Sequence, residues 1–224
     1  MQGALSAGNT LLRPKIMAPR LGNGELRRKL LDQARRLLVA EGVGRLSMRR
    51  LADDVGVSAT SIYLYYRDKD ALIHALIAEG MELLGQGLEA ERSSTELPVK
   101  RIEGMCRQYL EFAQAHPEYY EIMFLLHPQH MERYPRRMYR VARHNLDLAV
   151  QELAAVDGLP VSTAHKLRAS VMWSTLHGAA SLLLASRFDA SLSRQLLVDG
   201  AVAAATAAGC YIQSTAMPAG PSPC

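Results

Sequence analysis

The fold of this chain follows from residues 47–72, whose sequence is SMRRLADDVGVSATSIYLYYRDKDAL. Ser47 is a good N-cap, because its hydroxyl can accept a hydrogen bond from a backbone N–H of the first helical turn. The next apolar residues recur at the spacing of one helical face; they are Met48, Leu51, Ala52 and Val55. Gly56 can adopt the positive φ that ends a helix, and Ser58 can cap a second helix from Ala59 to about Tyr65. The pattern predicts a helix-turn-helix, whose second helix can project into a DNA major groove.

The motif residues of this stretch follow one another in a fixed order. They are Gly56-Val57-Ser58, Ser61-Ile62-Tyr63, Tyr65-Tyr66, Lys69-Asp70 and Leu72. This run is similar to the pattern G-V-S-x-x-[ST]-[LI]-Y-x-[HY]-[FY]-x-[SND]-K-[ED]-x-L of the TetR/AcrR family of transcriptional regulators. The preceding helix also resembles the first helix of that family, so the resemblance covers about residues 25–75. A lone G-V-S would mean little, whereas this many ordered matches in one stretch are specific.

The resemblance implies an all-α protein of about nine helices, with an N-terminal three-helix DNA-binding domain and a C-terminal helical domain for dimerisation and ligand binding. It implies a homodimeric transcriptional regulator, most simply a repressor that a small, largely apolar effector releases from a palindromic operator. The predicted divisions are a disordered basic arm (1–23), the helix-turn-helix domain (24–72), the effector-binding and dimerisation domain (73–212) and a disordered tail (213–224).

The composition of the chain independently favours helices. Hydrophobic residues make up 49% of the 224 residues and aromatic residues only 6%; Ala and Leu dominate, and β-branched runs are absent. Apolar runs stay below the ~20 residues that a membrane span needs, so we expect no membrane partner. Three widely spaced cysteines, Cys106, Cys210 and Cys224, indicate a reducing compartment rather than a disulfide scaffold. We therefore predict a cytoplasmic protein.

Charge is unevenly distributed along the chain. Residues 1–72 contain 13 Lys and Arg against 7 Asp and Glu, whereas residues 73–224 contain 13 against 15. This asymmetry fits a nucleic-acid-binding head on a body that does not bind nucleic acid. The basic residues of 1–23 can reach a minor groove as a flexible arm, although a solvated tail is the simpler interpretation. Met17 would be a natural start for this family, so translation from Met1 and from Met17 are both open.

Caps and turn residues predict the helices. Asp68 caps the fourth helix and Ser162 the eighth, while Pro98 and Pro117 suit the first turns of the fifth and sixth. The predicted ranges are 24–41, 48–55, 59–65, 69–90, 98–115, 117–126, 135–156, 164–187 and 191–211.

The last two predicted helices are apolar on almost every side. A helix that is apolar all round must be buried all round, and a body of this size can bury one such helix by itself. Two of them, rich in Ala and Gly, predict a homodimer held by a four-helix interface of helices 8 and 9. We expect Ala180 and Ala204 to lie in that interface, and the family resemblance implies the same pairing.

The start of the third helix supplies the predicted base contacts. Thr60 and Ser61 can donate or accept hydrogen bonds, and Leu64 favours apolar contacts such as a thymine methyl. By resemblance, Tyr63 contacts a phosphate and Lys69 pairs with another at the start of helix 4. The full predicted DNA-binding set is Ser47, Arg49, Ser58, Ala59, Thr60, Ser61, Tyr63, Leu64, Tyr65 and Lys69. For Arg49, a solvated helix face is an equal alternative.

Methionine and aromatic residues recur along helices 5 to 8. In this family the same helices enclose an inducer cavity, and the segments HPEYYEIMF and WSTLHG resemble regulatory domains with a W-x(n)-H-G signature. Methionine suits an adaptable apolar pocket. The implied effector-binding set is Met105, Tyr109, Phe112, Tyr120, Met123, Phe124, Met138, Trp173 and His177. Each of these can equally be an ordinary core residue.

An enzyme is the weakest alternative. The sequence holds no nucleotide-binding loop, nucleophile elbow or H-E-x-x-H motif. His127 and His130 are closely spaced, but Pro128 breaks the helix between them and no Cys or carboxylate pair joins them. We therefore expect no catalytic site, metal or cofactor. The stronger rival is an architectural or protein-binding factor that has the same DNA-binding head and no small-molecule inducer.

Overall fold

The computed structural model describes residues 23–94, 97–125, 138–188 and 193–216. Within these ranges the chain forms nine α-helices and no strand, so the predicted all-α fold is confirmed. The helices are α1 (Asn23–Glu41), α2 (Met48–Val55), α3 (Ala59–Tyr63), α4 (Lys69–Ser94), α5 (Pro98–Ala115), α6 (Pro117–Tyr120), α7 (Met138–Asp157), α8 (Thr163–Leu184) and α9 (Arg194–Ala216). A 3₁₀ turn, Val43–Arg45, follows α1, and a π-helical turn, Glu121–Leu125, continues α6. No helix in the described ranges is long and apolar enough to cross a membrane.

The helix-turn-helix is held by the local caps that its sequence predicts. The hydroxyls of Ser47 and Ser58 and the carboxylate of Asp68 each accept a hydrogen bond from the backbone N–H three residues further on, at 3.2, 3.1 and 2.7 Å. Gly56 ends α2 in the left-handed conformation with a φ of 76°. These caps satisfy N–H groups that have no partner inside the helix.

Some helix ends differ from the predictions. α3 ends at Tyr63, two residues early, because the N–H groups of both Tyr65 and Tyr66 donate to the carbonyl oxygen of Ile62 and tighten the chain into a turn. α4 continues to Ser94 instead of ending near Ala90. Its last turn is held by contacts with α7, which a local sequence pattern does not record.

The C-terminal helices also shift by a few residues. α8 begins at Thr163 and ends at Leu184 rather than Arg187, and α9 continues to Ala216, into the predicted tail. The predicted start of helix 7 at Pro135, the end of helix 6 at residues 127–128 and the start of helix 9 at Ser191 lie outside the described residues. So do the arm up to residue 22 and the chain beyond residue 216.

The N-terminal helices share a small core with the start of α4. Leu30 of α1, Leu51 of α2 and Ile62 of α3 are completely buried, as is Leu72 of α4. Tyr66, which is also buried, donates its hydroxyl to a carbonyl of α1. α4 then continues into the body, so the predicted domain boundary at residue 72 falls inside one continuous helix.

In the body, α4 and α5 pack against each other and against α7, and α8 packs along α9. One face of α8, which includes Ala169, Met172 and Ala180, is buried inside this chain. Ala180 is 0% exposed, so the prediction that its side chain contacts a partner copy is wrong. The opposite face of α8 is exposed and carries Ser174 and Gly178.

A buried carboxylate links three helices of the body. Glu152 of α7 is 4% exposed and accepts hydrogen bonds from Arg92 of α4 at 3.0 Å and Arg101 of α5 at 2.7 Å. A buried charge is tolerated only when it is paired in this way. The pair with Arg92 explains why the last turn of α4 stays helical.

Candidate DNA-binding surface and effector pocket

The N-terminal end of α3 is open to solvent. Ala59 and Thr60 are exposed, as expected of side chains that meet base edges. Ser61 is half-buried, and its hydroxyl lies 2.8 Å from the hydroxyl of Ser58. Because Ser58 caps the helix, both serines are engaged in holding the turn. Thr60 is therefore the hydrogen-bonding side chain of this end with the most freedom to contact a base.

The C-terminal end of α3 exposes two large side chains. Tyr63 is 52% exposed, and Leu64 is 81% exposed, the highest value among the large apolar side chains of the described residues. No packing role explains Leu64, which makes it a strong candidate for an apolar DNA contact. Tyr65, in contrast, is half-buried and packs against the core, so only part of its side chain is open to solvent at this surface.

The cations of the head have different environments. Arg49 is exposed on α2, whereas Arg50 forms a two-pronged ion pair with Glu41 of α1. This hydrogen-bonded pair lowers the pKa of Glu41 and raises the pKa of Arg50. Lys69 is half-buried, and its Nζ donates to the carbonyl oxygen of Val43 at 3.1 Å. Lys69 therefore ties the start of α4 to the turn after α1 as well as carrying a charge near the recognition helix.

An aromatic cluster lies in the body, where helices α5, α6 and α8 meet. It consists of Tyr109, Tyr120, Phe124, Trp173 and His177, all from the predicted effector-binding set. The ring centroids of Tyr109 and Trp173 are 5.0 Å apart, as are those of Tyr120 and Phe124. The imidazole of His177 stacks on Tyr120 with centroids 5.6 Å apart. The rings lie at the spacing of favourable aromatic pairs.

Three polar groups meet inside this cluster. The Tyr120 hydroxyl lies 2.6 Å from Nδ1 of His177, and the Tyr109 hydroxyl lies within 3.5 Å of both partners. Burial lowers the pKa of His177 and raises those of Tyr109 and Tyr120. The lowered pKa favours the neutral imidazole, in which one ring nitrogen donates and the other accepts, and Nδ1 is the nitrogen that faces the Tyr120 hydroxyl.

A small cavity adjoins the cluster. Its volume is about 20 Å³, close to the size that one water molecule needs. Met105, Tyr109 and Trp173 line it, together with Cys106, whose thiol pKa is raised to about 12 by burial. In this conformation an effector larger than water has no room unless side chains move.

Asn145 of α7 also lines the cavity, and our sequence predictions did not include it. It is 1% exposed, and its Nδ2 donates to the carbonyl oxygen of Met81 at 3.0 Å. A sequence signal for it exists, because Asn145 precedes the buried Leu148 and Ala149 by three and four residues and therefore shares their helical face.

Three predicted effector residues lie away from the cluster or cannot be assigned to it. Phe112 lines a separate surface groove of about 470 Å³ between α4 and α5. Met123 is buried against α4 beside Gly80. The side chain of Met138 lies outside the described residues.

The sequence comparisons agree with this architecture. Residues 30–76 match the family model of bacterial regulatory proteins of the tetR family, and residues 102–205 match the tetracyclin repressor-like C-terminal domain. The chain is 31% identical over 143 residues to the HTH-type transcriptional regulator BetI of Brucella anthropi, covering 61% of this chain and 74% of that protein. It is 43% identical over 56 residues to the HTH-type transcriptional repressor Rv1474c of Mycobacterium tuberculosis, covering 25% of this chain and only 30% of that protein.

Solved structures share the fold. A protein of unknown function from Rhodococcus sp. RHA1 is 28% identical and covers 87% of this chain and 98% of its own, with a TM-score of 0.70. A regulatory protein of the tetR family from Rhodococcus RHA1 covers 81% of this chain and 95% of its own with a TM-score of 0.55, but at 16% identity it supports the fold alone.

Helix-turn-helix head and helical body together define a DNA-binding transcriptional regulator, not an enzyme. The chain belongs to the TetR family.

Proposed function

We propose that this protein is a homodimeric repressor that a small, largely apolar effector releases from a palindromic operator. One observation carries the proposal: the aromatic cluster surrounds a hydrogen-bonded group formed by Tyr109, Tyr120 and His177. Stability alone does not require three polar groups there, since burying them has a free-energy cost. A mostly apolar site with a few convergent polar groups is instead typical of small-molecule recognition.

On the DNA side, the proposal assigns two kinds of contact. Thr60 and Leu64 read base edges, with Ala59 beside them, while Tyr63, Arg49 and Lys69 approach phosphates. Ser47, Ser58 and Ser61 hold the caps and present backbone amides to the phosphate chain. Tyr65 is half-buried, so it can reach DNA only through the part of its side chain that is open to solvent.

The dimer interface would be the exposed face of α8 and α9. On α8 this face carries Ser174, Gly178 and Leu182, and on α9 it carries Gly200 and Ala203. Small residues allow two copies of the helix pair to approach closely, which supports a two-fold four-helix arrangement. Two heads related by the two-fold axis could then enter major grooves about 34 Å apart.

Release of DNA requires an effector that binds one body conformation better than the other. The cavity of about 20 Å³ supports such a difference, because an effector would have to open the site. Opening can change the spacing of the two heads, and effector and operator then weaken each other's binding by the same factor. The polar contacts offered to an effector are the imidazole of His177, the Tyr109 hydroxyl and the amide of Asn145.

The DNA half of the proposal can be tested after selecting a high-affinity site from random duplexes. Thr60→Ala should lose preference for that site and keep its affinity for random DNA, because it loses a base contact of about 1–3 kcal/mol. Lys69→Ala should weaken both complexes and lower the salt slope by about 0.9 per protomer, whereas Lys69→Arg should keep the slope. If Lys69→Ala changes sequence preference while Thr60→Ala leaves it intact, the assigned contacts are wrong.

The effector half can be tested with a library of small apolar compounds. A compound that raises the melting temperature, changes Trp173 emission and weakens binding to the selected DNA would support the proposal. Trp173 is the only tryptophan of the chain, so its fluorescence reports directly on the cluster. A protein that binds selected DNA but responds to no compound would favour the architectural or protein-binding alternative.

A further inference from the structure

Two neighbouring tyrosines of α6 contact different parts of the molecule. The Tyr120 hydroxyl lies 2.6 Å from His177 in the aromatic cluster. The Tyr119 hydroxyl instead donates to Oε2 of Glu79 on α4 at 2.6 Å. α6 therefore lies between the candidate effector pocket and the helix that continues into the DNA-binding head.

Glu79 connects Tyr119 with the head itself. Arg35 of α1 donates its Nη2 to Oε1 of Glu79 at 2.6 Å and its Nε to Oε2 at 3.2 Å. The same Nη2 also donates to Asp32 at 2.8 Å. One carboxylate thus joins α1, α4 and α6, and a two-pronged arginine contact fixes the orientation as well as the distance of its partner.

Gly80, the next residue of α4, allows α6 to lie close to the helix backbone. A Cβ atom built there would be 2.8 Å from Cδ1 of Tyr119 and 2.6 Å from Sδ of Met123. Side-chain packing this tight leaves little room for α6 to move without disturbing its contacts with α4.

The C-terminal end of α6 has an unusual backbone. Its π-helical turn, Glu121–Leu125, carries Phe124, whose ring lies against Trp173 with centroids 5.9 Å apart. π-helical turns are rare and occur frequently at functional sites. The element that contacts the pocket is therefore one whose backbone departs from regular α-helical hydrogen bonding.

We propose that Tyr119 couples the effector pocket to the DNA-binding head by holding Glu79 and, through it, Arg35 of α1. This inference rests on the proposed function and names the residue through which its regulation acts. Opening the pocket displaces Phe124 and Tyr120, and the resulting shift of α6 removes the Tyr119 hydroxyl from Glu79. Arg35 then loses its fixed partner geometry, and α1 is freed to reorient the head. Tyr119 is a positioning residue, since it does not line the cavity and acts on the head only through Glu79.

Hydrogen exchange measured by mass spectrometry tests this link without DNA or a natural effector. The Trp173→Ala variant removes a ring that contacts Phe124, and indole serves as the probe that refills the space. In this variant, amides of α1 around Arg35 should exchange faster, and indole should slow them again by about threefold or more. In the Trp173→Ala, Tyr119→Phe double variant, indole should protect α5 and α8 but leave α1 unchanged.

Tyr66→Phe is the matched control, because it also removes one tyrosine hydroxyl hydrogen bond, in this case to the carbonyl oxygen of Arg27 on α1, from a residue that is not part of α6. Combined with Trp173→Ala, it should leave the α1 response to indole intact. The proposal is overturned if indole changes exchange in α1 equally with and without the Tyr119 hydroxyl. It is also overturned if indole leaves α1 unchanged in both the Trp173→Ala variant and the double variant.

A second pair of variants covers the case in which Trp173→Ala does not fold. Tyr120→Phe removes only the hydroxyl next to His177. It should speed hydrogen exchange in α1 when Tyr119 is intact, and it should have no such effect when it is combined with Tyr119→Phe. Equal effects in the two backgrounds would refute the coupling. Failure of the link and failure of the proposed function can be told apart: intact coupling in a protein that binds neither selected DNA nor any apolar compound would refute the function and leave the link standing.

Discussion

Replacing Gly178 with Arg should turn the protein into a folded monomer. Gly178 lies on the exposed face of α8, and a Cβ atom there would have no neighbour within 4 Å. Arginine is a better helix former than glycine by about 0.5–1 kcal/mol, so the isolated chain should be slightly stabilised. In a dimer, however, each copy would bury an unpaired guanidinium, at about 3 kcal/mol or more per copy. Two copies cost about 6 kcal/mol, which weakens association roughly 10⁴-fold.

Sedimentation velocity over a micromolar concentration range measures the effect of Gly178→Arg on association, and thermal unfolding measures its effect on the stability of the isolated chain. Ala90→Arg, at an exposed position of α4, is the matched control and should stay dimeric. Ala180→Arg cannot serve this purpose, because Ala180 is completely buried within the chain and the change would unfold it. A Gly178→Arg protein that remains dimeric with unchanged dissociation, or a wild type that is already monomeric, would refute the proposed interface.

Three further changes test the structure more locally. Gly56→Ala should lower the free energy of unfolding by about 1–2 kcal/mol in urea titrations, because φ is 76° and no atom lies within 4 Å to add a clash; a loss much greater than that would mean hidden contacts. Burial holds the pKa of folded His177 below its ordinary value of 6.5, so below about pH 6.5 the unfolded chain binds the proton more readily and stability falls. His177→Gln should therefore lose less stability than the wild type between pH 7.5 and about 5.5, and parallel curves would contradict this. Glu152→Ala leaves Arg92 and Arg101 without their buried partner and should destabilise the protein by about 3–5 kcal/mol in the same titrations; a change below about 1 kcal/mol would mean that the pair is effectively solvated.

The sequence by itself determined those features that depend on contacts within a few residues. Ser47, Ser58 and Asp68 each cap a helix through an amide three residues away, and Gly56 ends α2 through its own φ. Such interactions need no tertiary partner, so the helix-turn-helix and its capping residues could be predicted correctly. The sequence also placed Leu64 among the candidate DNA contacts; the structure leaves its side chain exposed, and the contact itself stays a prediction.

Only the tertiary structure decided which side chains work together in the body. Local periodicity placed methionines and aromatic rings on buried faces, but it could not separate Trp173, which joins the cluster, from Phe112, which lines another groove. The contact of Tyr120 with His177 spans 57 residues of sequence, and that of Arg35 with Glu79 spans 44. A local pattern cannot encode such pairs, because chain folding brings their helices together. The sequence also predicted that α8 is apolar on almost every side, but it could not tell which side is buried within the chain. Only the packing of the helices determined that Ala180 faces the core and that Gly178 faces outward.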